Sequence, residues 1–151
     1  PEKVHLYVLD EDEAGALFML FPMKGSNLSN PLTPALTHRL PGTKDGADLS
    51  WQVTSAGGRE TFLVVASREP LPSLQRALAA AREAREGEAV NYAGVTAEQL
   101  ADLRGVGGVV REPVAARAPS GRLHTLAASL AREAAARGLW LRLVEVDNPA
   151  P

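Results

Sequence analysis

The sequence predicts an α+β fold. A mainly antiparallel β-sheet, as a sandwich or partly open barrel, fills the first half; two or three helices fill the second, and a C-terminal strand returns to the sheet. Three observations lead there. Apolar runs of strand length occupy 4–9, 16–21 and 61–66, with side chains alternating between two apolar faces. After Pro70 the apolar spacing changes from period 2 to period 3.6, so that Leu74, Ala77, Leu78, Ala81 and Ala84 share one stripe. From Leu139 the alternation returns, with Leu139, Leu141 and Leu143 set against Trp140, Arg142 and Val144. Strands and helices segregated in this way argue against repeated βαβ units.

The early elements follow from turn chemistry. The first two apolar runs are separated by Asp10-Glu11-Asp12-Glu13-Ala14-Gly15, a polar segment ending in glycine, which predicts a hairpin with a loop wider than two residues. Residues 22–34 are rich in Pro, Asn, Ser and Gly and read as irregular. A short edge strand is expected at 37–40, closed by Pro41-Gly42, and a polar loop at 43–48. Trp51 opens a strand over 51–54 that passes through Ser55-Ala56-Gly57-Gly58 into the run at 61–66, a second hairpin whose latter strand is buried on both faces. The stretch from Trp51 to Pro70 is thus the centre of the architecture.

The later elements follow from caps and stops. Pro72 suits a first helical turn, and a helix is expected over 72–85, ending at Gly87. Thr96 and Gln99 have capping-box spacing, with Val95 and Leu100 as a hydrophobic staple, so a short helix follows over 97–104. Residues 106–119 read as a connection with a short strand at Val109-Val110. Ser120 is the expected N-cap of a long helix reaching Arg137, with Leu123, Leu126, Ala127, Leu130 and Ala134 inward and Gly138 after its end.

Composition sets bounds on function. The 151 residues suit one domain with a single core, and 45% hydrophobic with 23% charged residues is ordinary for a globular chain. A first residue Pro1, with no initiator Met and no signal segment, leads to the expectation of a domain cut from a longer protein, its partners including other domains of the same polypeptide. The net charge of −2 argues against a generic nucleic-acid surface. No apolar run has membrane-spanning length, so no membrane insertion by this segment is expected. The absence of cysteine excludes disulfides, thiolate metal sites and a cysteine nucleophile.

Candidate chemistry is sparse. The acidic run Asp10, Glu11, Asp12 and Glu13 would suit Ca²⁺, but Phe21 stands where an EF-hand needs glutamate, and a solvated hairpin tip is the simpler reading. Gly57, Gly58 and Arg59 have the composition of an anion-binding nest, although two glycines equally serve a tight hairpin. Arg68, before Glu69-Pro70, is either a ligand-facing charge or an exposed loop residue. Trp51 and Trp140 would line a groove or pack in the core, and packing is expected. His5, His38 and His124 lie far apart in sequence without metal-type spacing. Trp51, Gly57, Gly58, Arg59, Arg68 and His38 are therefore the ligand-binding candidates, with no catalytic residue, metal or cofactor expected.

One resemblance adds to this. Tyr7-Val8-Leu9-Asp10-Glu11-Asp12 and Phe18-Met19-Leu20-Phe21-Pro22 lead into an Asn/Pro-rich loop, then Arg39-Leu40-Pro41, then Gly-Arg-Glu-Thr-Phe-Leu-Val-Val-Ala-Ser at 58–67, with Trp140-Leu141-Arg142 near the end. This pattern resembles the DUF4384 family, a bacterial domain of unknown function. The resemblance implies an accessory or sensor domain, often extracytoplasmic, appended to kinases, caspase-like peptidases or membrane-anchored regulators, and it carries no catalytic residues. The expected function is non-catalytic binding of a ligand or protein partner through loops following Phe21 and Gly105. A small hydrolase whose site forms only in the fold, and a structural spacer, remain the alternatives.

Overall fold

The computed structural model describes residues 2–35, 37–51, 57–80, 93–94 and 121–149. Strands β1 (His5–Glu11) and β2 (Leu17–Phe21) form the expected antiparallel hairpin. Asp12 closes its loop: the carboxylate accepts the Ala16 N–H at 2.7 Å and the carbonyl accepts the Gly15 N–H at 2.9 Å. Next come β3 (Thr43–Lys44) and β4 (Ala47–Asp48), a small ribbon around Asp45-Gly46 where the sequence had predicted only a loop. Residues 37–40, expected as an edge strand, are irregular wherever described, and Arg39 instead pairs with Asp48 at 2.7 Å.

The central strand β5 (Gly58–Ser67) is longer than the apolar run that predicted it. It pairs antiparallel with β1 on one side, Glu11 opposite Thr61 and His5 opposite Ser67. After α1 (Pro72–Ala80) and the two-residue β6 (Ala93–Gly94) comes α2 (Arg122–Arg137), followed by β7 (Leu139–Asn148). β7 pairs with β5 along all ten residues, from Gly58 opposite Asn148 to Ser67 opposite Leu139. The closing strand does return to the sheet built by the first half. The sheet order is β6-β2-β1-β5-β7. The expected strand at 51–54, the helix at 97–104, the Val109-Val110 strand, the end of the first helix and Ser120 all fall, wholly or in part, outside the described residues.

The two faces of the sheet are covered differently. On one, Tyr7, Leu9, Leu63 and Val65 meet Leu71, Leu74, Leu123, Leu126 and Leu130 from the helical half. Each fully buried leucine contributes about 1.5–3 kcal/mol, which among the described residues makes α2 the main source of apolar burial from the helical half. On the other face, Val8, Leu20 and Phe21 lie under Leu28, Leu32, Leu40 and Trp51 of the irregular segment. Asparagine side chains hold that segment in place of a ladder. Asn30 Oδ1 accepts the Leu6 N–H at 2.9 Å, and Asn27 Oδ1 accepts the Thr43 N–H at 2.7 Å. Gly42, with φ of 102°, passes so close to Asn27 and Ser26 that a Cβ there would overlap both side chains. The described cover lies on β1, β2 and β5. Trp140 on β7, expected to be packed, is 55% exposed.

Tyr7 ties the sheet to α1. Its hydroxyl is buried, accepting the Leu71 N–H at 3.0 Å and the Gln75 side-chain N–H at 3.1 Å. Tyr7→Phe leaves both donors without that partner and is expected to cost about 1–3 kcal/mol in urea unfolding. Trp140→Ala, on the exposed side, is expected to change stability by less than about 0.5 kcal/mol. Equal losses in the two variants would contradict this division of the sheet.

Candidate functional site

The acidic run at the hairpin tip looked like one feature in the sequence, but its four carboxylates face different partners. Side chains alternate along β1, so Glu11 shares the helix-side face with Tyr7 and Leu9, while Asp10 points to the other face. Glu11 is buried, and its carboxylate accepts the backbone N–H groups of Arg122 at 2.8 Å and Leu123 at 2.9 Å. Those are the first two N–H groups of α2, which Gly121 precedes without a side chain to cap them and whose first turn carries no acidic residue. Asp12 closes the hairpin loop. Glu13 reaches across to β5, where its Oε2 accepts the Arg59 N–H at 2.9 Å. Among the described residues no group of three His, Asp or Glu side chains is arranged to hold a metal ion.

A cleft of about 840 Å³ opens where these elements meet. Its walls are Glu11, Asp12, Glu13 and Gly15 of the hairpin tip, Gly58, Arg59 and Thr61 at the start of β5, His124 in the first turn of α2, and Glu145, Asp147, Asn148 and Pro149 at the end of β7. The β5–β7 register places Thr61 opposite Glu145 and Arg59 opposite Asp147, which brings these charges to one end of the sheet. Glu145 Oε1 lies between Arg59 Nη1 at 3.4 Å and His124 Nε2 at 3.5 Å. Arg59 Nε is 3.9 Å from Asp147 Oδ1. The side chains of Arg59, Glu145 and Asp147 are all solvent-exposed. Ion pairs of this kind contribute about 0–1 kcal/mol, so a ligand can replace either partner at small cost. Carboxylates outnumber basic groups around the opening, and its electrostatics favour a cation.

The structure brings together only some of the residues singled out from sequence. Gly58 and Arg59 line the cleft, with Gly57 just before them at the bend. At the Gly57-Gly58-Arg59 turn, weighed as an anion-binding nest or a tight hairpin, the Arg59 N–H is taken by Glu13, a carboxylate of the chain itself. Arg68 sits at the far end of β5 and makes an exposed ion pair with Glu2 at 3.3 Å. His38 contacts the Thr33 carbonyl at 2.8 Å on an exposed segment. Trp51 is half-buried on the opposite face and donates its indole N–H to the Leu20 carbonyl at 3.1 Å. Sequence reasoning missed the convergence of Glu11, His124, Glu145 and Asp147. The signal that would have found Glu11 is its place in the β1 alternation, an acid in line with core residues Tyr7 and Leu9, together with a long helix that starts without an acid of its own.

Gly58 is shaped by this site. Its φ is 108°, and a Cβ there would stand 2.7 Å from the Glu13 Cβ. Gly58→Ala is therefore expected to lower the melting temperature by several degrees and to speed exchange of the Arg59 amide, read by two-dimensional NMR. An Arg59 amide as protected as in the unmodified chain would show that Glu13 is not held there.

The DUF4384 family model, described as a domain of unknown function, matches residues 1–70. The match takes in β1 to β5 with Glu11, Glu13, Gly58 and Arg59, and stops before α1. Comparison with curated proteins and with solved structures returns no match.

Proposed function

From a chain that belongs, through residues 1–70, to the DUF4384 family, we propose a non-catalytic accessory or sensor domain of a bacterial signalling or envelope protein. It binds a ligand or protein partner at the cleft between the hairpin tip, β5, α2 and β7, and the group it recognises is cationic, such as a lysine or arginine side chain of a peptide. The carrying observation is Glu145, an exposed carboxylate at the cleft that holds both Arg59 and His124 at 3.4–3.5 Å. Asp147 and Glu13 stand beside it and add to the negative field. An accessory role outside the cytoplasm rests on the resemblance alone, as does attachment to other domains. No described helix is long and apolar enough to cross a membrane.

The loops named from sequence as binding elements take a different place in this reading. The segment after Phe21 covers the second face of the sheet, and the loop after Gly105 lies outside the described residues. The hairpin tip and the ends of β5 and β7 supply the binding groups instead.

Isothermal titration of the chain with a lysine-rich decapeptide is expected to give binding that weakens as salt rises. A glutamate-rich decapeptide is expected not to bind. Combining Glu145→Gln with Asp147→Asn should weaken binding about tenfold, an order set by losing one or two charge-assisted contacts. Arg68→Gln, at the far end of β5, should leave it unchanged. Binding of both peptides alike, or a double variant that binds as the unmodified chain does, would overturn the proposal.

A second reading, a small hydrolase, has one observation in its favour. His124 and Glu145 form an imidazole–carboxylate pair in a cleft that the buried Thr61 also lines. Hydrolysis of any member of an ester and peptide panel that disappeared in His124→Gln would favour it over the binding domain.

A further inference from the structure

Behind the cleft, on the opposite face of the same strands, lies a set of carboxylates that the binding reading does not use. Asp10 stands opposite Phe62 on β5, and Glu60, two residues along, points to the same face. Glu60 is 2% exposed. The Oδ1 of Asp10 is buried and has no hydrogen-bond partner among the described residues. Among the described residues, the charges that bear on Asp10 are Glu60, Asp12 and Glu11, all of them carboxylates. Arg59 points to the other face of β5, and β2 carries no ionisable side chain.

We propose that Asp10 is a proton-operated latch: with its proton it lies quietly against Glu60 and fastens the hairpin tip to β5, and on losing it the carboxylates repel and the tip loosens. The consequence reaches the other face through the backbone. Glu11, next in sequence, holds the first turn of α2, and Glu13 holds the Arg59 amide. A displaced tip therefore weakens both contacts and widens the cleft. This device stands whether or not a cationic ligand binds there.

Burial, then the charges of Glu60 and Asp12, raises the Asp10 carboxyl from 3.8 to about 7. A carboxyl raised by folding is a site where the folded chain holds a proton that the unfolded chain has released. Its contribution is fully present below pH 3.8 and is lost as the pH rises through about 7. The latch is thus closed in mildly acid solution and open in mildly alkaline solution.

Amide exchange read by NMR, as protection factors corrected for intrinsic pH dependence, tests this at pH 5.5 and pH 8.5. Protection of Arg59, Arg122 and Leu123 is expected to fall about tenfold or more between the two pH values. In Asp10→Asn, which keeps the shape and removes the titration, protection should be independent of pH; in His124→Gln it should fall as before. No fall in the unmodified chain, or the same fall in Asp10→Asn, overturns the proposal. Should Asp10→Asn fail to fold, the carbon-detected titration of the Asp10 carboxyl in the unmodified chain decides: a midpoint near 7 supports the latch, and one below 5 overturns it.

Discussion

A helix that begins with nothing to cap it needs an acceptor from elsewhere, and in this chain that acceptor is Glu11, 111 residues before Arg122. Two short bonds from one buried carboxylate satisfy the first two N–H groups of α2 and place a negative charge at the positive end of the helix dipole. The apolar contacts of Leu123, Leu126 and Leu130 provide more free energy than this cap, but they are not directional. A stripe of leucines tolerates a shift along a sheet of other apolar side chains, whereas two bonds of 2.8–2.9 Å to a fixed strand position do not. Burial therefore drives the docking of α2, and Glu11 sets its position.

That position propagates. At the other end of α2, Gly138 takes a left-handed conformation, and the chain turns directly into β7. With α2 placed, β7 is delivered beside β5 in the register that sets Glu145 opposite Thr61 and Asp147 opposite Arg59. The cleft is a product of this arrangement, because its groups come from both halves of the chain. The family match covers the hairpin and β5, which supply Glu11, Glu13 and Arg59, while His124, Glu145 and Asp147 lie beyond it.

The elements that could be read from the sequence are those specified by local pattern. The β1–β2 hairpin, the central strand, the leucine stripe of α2 and the alternation of β7 each follow from periodicity and turn residues, and the return of β7 to the sheet follows from its apolar half. What escaped were long-range polar assignments. Ser120 has the residue type of an N-cap, yet the helix starts after Gly121, and the acceptor belongs to a distant strand that no local rule connects to it. The run Asp10 to Glu13 looks uniform in one dimension, and only the pleat separates a helix-capping glutamate from a carboxyl on the far side of the sheet. Trp140 was expected to be at least partly buried because aromatic residues are scarce, and on an edge strand beyond the described cover it is 55% exposed. Residues 22–34 offered no periodicity, and Asn27 and Asn30 hold them in place by reaching backbone groups across the fold.

The claim on which the account turns is that Glu11 positions α2. Urea unfolding of Glu11→Gln, with amide exchange in the same samples, tests it most directly. Glutamine keeps the size of the side chain but loses the charge and one of its two acceptors. The account predicts a stability loss of about 1–3 kcal/mol with faster exchange at Arg122 and Leu123. It also predicts altered chemical shifts along β7. A variant as stable as the unmodified chain, with those two amides equally protected, would contradict it.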